Sequence, residues 1–236
     1  FKYAEDYVLK DVSFNLSEHK TYALVGSSGG GKSTIAKLIS GFYKINEGGI
    51  LIGGHDIAEY SENALLSNIA FVFQNSKLFK TSIFENVRIG NPNASHSDVI
   101  KALEEARCAE ILDKFPDREN TVIGSKGVYL SGGEIQRIAI ARAILKNANI
   151  IILDEASAAA DPENEYEIQQ AFSNLMKNKT VIMIAHRLSS IRNVDEILVI
   201  DGGAVAERGS HEELMQKGGR YCRLQEMYSK ANDWRV

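Results

Sequence analysis

The stretch GSSGGGKST at residues 26–34 constrains this chain more than any other. It fits G-x-x-x-x-G-K-[ST] in full. An apolar run, TYALV, precedes it, and Ile35, Leu38 and Ile39 follow at helical spacing before Gly41 stops the helix. Strand, glycine-rich loop and helix in that order describe a phosphate cradle. Gly26, Ser27, Ser28, Gly29, Gly30 and Gly31 can turn backbone N–H groups inward, and the dipole of the helix opened by Lys32, Ser33 and Thr34 favours the same anion. Lys32 would reach the outer phosphates of a nucleotide, and the Ser33 hydroxyl would hold Mg2+. The alternative, a flexible glycine-rich turn, does not account for the flanking elements.

Four other runs resemble TYALV in being short, apolar and rich in β-branched residues: IAFVF (69–73), IIIL (150–153), VIMIA (181–185) and EILVI (196–200). Such runs suit strands buried on both faces of a mostly parallel sheet. Ligands of open α/β sheets bind beyond the carboxyl ends of the strands. Gln74, Asp154 and His186 each follow a strand and are expected at that edge. Asp154 would serve the metal, and Glu155, one residue on, could orient and activate a water. His186 could donate to the terminal phosphate. Asp201-Gly202-Gly203 reads as a hairpin turn. Residues 81–147 carry helical patterns, such as Val99 and Leu103 on one face, and are expected to form an inserted helical lobe. Ser210 and Glu213 form a capping box near the C-terminus.

Charge and composition exclude other classes. The 236 residues carry a net charge of −4 with mixed signs, so there is no basic footprint for nucleic acid. Cys108 and Cys222, the two cysteines, make no metal-spaced cluster. No apolar run approaches the ~18 residues of a membrane span. The chain begins at Phe1, already in strand-like sequence, and reads as a piece of something longer.

A second anion-binding pattern sits in LSGGE (130–134), where Ser131, Gly132 and Gly133 open the helix EIQRIAIARAIL. The P-loop, Gln74, LSGGE, IIILDE, Asp161 and His186 stand in the order and spacing of ATP-binding cassette (ABC) ATPases. The resemblance covers nearly the whole chain. TSIFENVRIGNP (81–92) and TVIGSKGVYLSGGE (121–134) are similar to the exporter branch. That resemblance implies an α/β fold with a RecA-like P-loop NTPase core, an antiparallel β-subdomain and an inserted α-helical subdomain. Residues 1–236 would be one ABC ATPase domain, with 1–80 and 148–236 as core and 81–147 as the signature subdomain.

The resemblance also implies roles. ATP and Mg2+ would be bound, with Ser33, Gln74 and Asp154 serving the metal and Lys32, Gln74, Glu155 and His186 serving hydrolysis. Tyr3 resembles the aromatic that stacks on adenine, with Tyr7 as the competing choice. Ser131, Gly132, Gly133 and Glu134 would cover the nucleotide of a second nucleotide-binding domain packed head to tail, which explains two phosphate sites in one chain. Asp161 resembles the acidic residue of the loop joining two such sites, and residues 124–127 the segment facing membrane helices. A transmembrane domain fused upstream, at the cytoplasmic face of a membrane such as a bacterial plasma membrane, is expected.

Two departures stand out. Glu134 replaces the usual Gln; it still completes a capping box with Ser131, so the leading reading is a harmless substitution, and the sharper one is that its charge opposes an incoming triphosphate. Ala158, Ala159 and Ala160 stand where Ser-Ala-Leu is usual, which removes a hydroxyl and some packing from the interface. The rival readings are a regulatory cassette without hydrolysis and a cassette acting on DNA or ribosomes. Glu155 and His186 argue against the first, and the acidic balance argues against the second.

Overall fold

A computed structural model describes residues 1–73, 76–124, 127–154, 162–185 and 191–233, excepting the side chains of 162, 163 and 231–233. The strands fall where β-branched runs predict them: β1 Thr21–Val25, β4 Ile69–Val72, β5 Ile150–Asp154, β6 Thr180–Ile184 and β7 Glu196–Asp201. The hairpin turn after β7 leads into β8 Ala204–Gly209, as the turn residues predict; two short strands were not singled out, β2 Leu51–Ile52 and β3 His55–Asp56. The helices are α1 Lys32–Ile39, α2 Glu62–Asn68, α3 Ile83–Arg88, α4 His96–Glu105 and α5 Ala109–Asp113, then α6 Gly132–Lys146, α7 Pro162–Met176, α8 His211–Lys217 and α9 Arg220–Asp233.

The main sheet has the order β4-β5-β6-β1-β7-β8. β1 pairs in parallel with β6 on one side and β7 on the other. Its residues Ala23, Leu24 and Val25 are fully buried, as a strand covered on both faces must be. The turn from β7 into antiparallel β8 uses Gly202 and Gly203, both at positive φ, so the two-residue loop follows the twist of the strands it joins. β2 and β3 make a separate antiparallel pair. Residues 12–16 form no strand, although the opening segment is apolar enough to suggest one; Lys2 and Tyr7 make only an isolated antiparallel bridge.

The chain divides into two compact units. The first comprises Phe1–Ile69, Ile152–Glu155 and Thr180–Val236. Its C-terminal part is shaped by capping. Ser210 and Glu213 exchange the hydrogen bonds of a capping box at α8, and Gly218 closes that helix in the left-handed conformation. The helix therefore stops at Gly218. Glu207 then accepts from the backbone N–H groups of Arg220 and Tyr221 and restarts the chain as α9. Tyr221 is buried beside Ile191 and Leu214, and its hydroxyl lies 2.8 Å from His211 Nδ1.

The second unit comprises Ala70–Ile151 and Ala156–Lys179. At its centre α6 packs against α3, α4 and α7. It is buried nearly all round, from Ile138 to Ala141 and again at Ala143, as a helix without a polar face must be. Arg137 is also fully buried, and its guanidinium is matched by Arg107 O at 2.8 Å, Asn164 Oδ1 at 3.2 Å and Glu110 Oε1 at 2.7 Å.

Among the described residues no helix is long and apolar enough to cross a membrane. Cys108 lies in the core of the second unit, and burial pushes its thiol up to about 12. A thiol reagent at pH 8 is therefore expected to modify Cys222 alone in the folded chain, and both cysteines in denaturant. Two fast-reacting thiols in native buffer would contradict this packing.

Candidate nucleotide site

The cradle is built at the end of β1. Gly26 and Gly31 adopt φ of 139° and 108°, values that a side chain would strain. Space excludes side chains at both as well: a Cβ on Gly26 would stand 2.0 Å from Ile200 O, and one on Gly31 2.5 Å from Leu9 Cδ2. Gly31 is the N-cap of α1, and no side chain caps that helix start. Its first N–H groups are thus left for an anion.

Lys32 is buried and folds back over the loop, donating to Gly26 O at 2.9 Å and Ser27 O at 2.7 Å. Burial lowers its pKa, and the nearby charge of Asp154 raises it in return. The ammonium and the carboxylate at the end of β5 therefore share one electrostatic environment. Tyr3 places its hydroxyl 3.2 Å from Thr34 Oγ1 and its ring edge-on to Phe1 and Tyr43. Tyr7, the competing aromatic, donates its hydroxyl to Glu47 instead.

The donor chemistry suits a hard cation held mostly by phosphates. Ser33 and Asp154 offer oxygen ligands, and among the described residues no group of three His, Cys, Asp or Glu side chains forms a cage. Mg2+ is commonly bound in that way, through one or two protein oxygens plus substrate phosphates.

The second pattern lies in the other unit. Ser131 is the N-cap of α6, and the box is reciprocal: Glu134 N donates to Ser131 Oγ at 3.3 Å, and Ser131 N donates to Glu134 Oε2 at 2.7 Å. Ser131 and Gly132 are exposed, and no atom lies within 4 Å of where a Gly132 Cβ would be. At Gly133 a Cβ would press on Asn164 and Ile168 of α7 at 3.4 Å. Lys114, just past α5, donates to Glu134 Oε1 at 2.6 Å. Burial raises the Glu134 pKa, but Lys114 and the Ser131 backbone and side chain outweigh it, and the net shift is downward. What this box contributes to stability is complete above the ordinary carboxylate range and is lost as pH falls through the lowered value. Sequence reasoning missed Lys114; no motif marks a residue twenty positions upstream. Gln74, Glu155, residues 158–160, Asp161 and His186 lie outside the described residues.

Residues 9–158 match the family model described as ABC transporter. The chain belongs to the ABC transporter family. It is 48% identical over 218 residues to ABC transporter B family member 4 of Dictyostelium discoideum, covering 92% of this chain and 28% of that protein. It is also 48% identical over 224 residues to the ATP-dependent lipid A-core flippase of Haemophilus ducreyi, covering 94% of this chain and 38% of that one. Among solved structures, a bacterial Atm1-family ABC exporter with ATP bound superposes with a TM-score of 0.89 at 40% identity, over 96% of this chain and 40% of that one. This ABC chain thus spans well under half the length of these relatives. It corresponds to a nucleotide-binding domain of the exporter type, with the mixed α/β fold expected of one.

Proposed function

We propose that this chain is the ATP-hydrolysing motor domain of an exporter-type transporter. The observation that carries the reading is the cradle at residues 26–34, whose uncapped helix start, buried Lys32 and neighbouring Asp154 suit a nucleoside triphosphate. Tyr3, whose hydroxyl lies beside Thr34, would stack on the base. Lys32 would exchange its loop carbonyls for the outer phosphate oxygens and stabilise charge that builds up as the terminal phosphate departs. Ser33 and Asp154 would hold Mg2+, which when bound supplies further charge neutralisation on the phosphates. Glu155 would take a proton from the attacking water, His186 would donate to the terminal phosphate, and Gln74 would sense the metal.

The signature start completes the reading. Two chains, identical or similar, would pack head to tail so that Ser131 and Gly132 of one cover the triphosphate held by the other. ATP would close this dimer and hydrolysis would reopen it, with Asp161 linking the two sites. The relatives, an ATP-dependent flippase and an exporter with ATP bound, support attached membrane segments that use the motion at the cytoplasmic face of a membrane.

Ser131→Arg tests the arrangement. It should block ATP-driven dimerisation, measured by sedimentation, while a fluorescent ATP analogue still binds the single chain. Normal dimerisation of this variant would leave simple nucleotide binding as the function.

A further inference from the structure

We infer that Lys114 is a positioning residue, the counter-ion that lets a carboxylate stand at position 134 without repelling the nucleotide. A capping box needs one oxygen from its third helical residue. Here Oε2 of Glu134 serves that need by accepting from Ser131 N at 2.7 Å. The amide of a Gln would present an NH2 group at the other position; Glu presents a second anionic oxygen. Lys114 Nζ meets that oxygen at 2.6 Å. The Glu134 side chain is only 9% exposed, so water does little of the neutralising.

Lys114 is available for this because its neighbours pair elsewhere. Arg118 bonds Asp113, Arg137 bonds Glu110 and Arg107 bonds Glu167. Asp113, Glu110 and Glu167 thus each have their own cation, and Glu134 has Lys114. Removing the ammonium would leave a negative charge within hydrogen-bonding distance of the Ser131 backbone, at the helix start that the proposed function sets against a triphosphate. The two like charges would then repel each other, more strongly the lower the dielectric around them.

The inference rests on the proposed head-to-tail dimer, and one experiment separates the two. In a Glu155→Gln background, where ATP is not consumed, the ATP concentration for half-maximal dimerisation is measured by sedimentation. Lys114→Met should raise it about tenfold, whereas Lys114→Arg should hold it near the starting value. Added to Glu134→Gln, Lys114→Met should change it by less than about twofold, because no carboxylate remains to be neutralised. Raising salt from about 50 to about 500 mM should shrink the Lys114→Met effect. An equal loss with and without Glu134→Gln, or no loss in either, would overturn the role of Lys114 while the dimer stands. Dimerisation that ignores Ser131→Arg would overturn the dimer reading and this inference with it.

Discussion

Lys32→Ala should lower ATP turnover about a hundred- to a thousandfold, the range seen when one preorganised donor is removed from a developing anion. Lys32 donates to the carbonyls of Gly26 and Ser27, which hold the ammonium at the cradle before it passes to the phosphates. ATP binding should weaken together with turnover, because the same charge also meets the triphosphate before it reacts. Lys32→Arg should not rescue, since a planar fork cannot replace a compact ammonium held by two adjacent carbonyls. Phosphate release at saturating Mg-ATP measures the effect, and circular dichroism checks folding. Turnover within tenfold of the unmodified chain would remove Lys32 from the role proposed for it.

Glu155→Gln should act differently. Loss of a general base costs about 10²- to 10⁴-fold in rate. Yet the cradle and the signature start remain, so ATP should still bind and still close the dimer. A variant chain incubated with Mg-ATP should therefore accumulate as a dimer that the active chain, by consuming its ATP, does not sustain. The split matters more than either number. A dead enzyme that also fails to dimerise would place Glu155 in binding, and a nearly normal rate would pass the base role to another group.

Much of this architecture was legible because the relevant signals are local. TYALV before GSSGGGKST names a strand, a loop and a helix within twenty residues, and the structure has all three. Asp201-Gly202-Gly203 fixes its hairpin by backbone conformation alone. The capping boxes at Ser131 and Ser210 need only a partner three positions on. By contrast, β2 and β3 are two residues each, too short to show a period. Residues 12–16 look like a strand in composition but lack a ladder. The partners that distinguish Tyr3 from Tyr7, Thr34 for one and Glu47 for the other, lie thirty to forty residues away in sequence. Lys114 is the clearest case. The charge of Glu134 is visible in the sequence, but its neutralisation depends on where α5 ends beside α6, and only tertiary packing decides that.

The contact between Gly26 and Ile200 sets a timetable for the living chain. The motif that grips nucleotide is translated before β6 and β7, yet its first residue leans on a carbonyl of β7, and β1 is flanked by those two later strands. Such distant pairings form slowly. A ribosome must have released the chain through β7 before the loop can take its shape, so ATP binding during synthesis would report that β1 has found both neighbours.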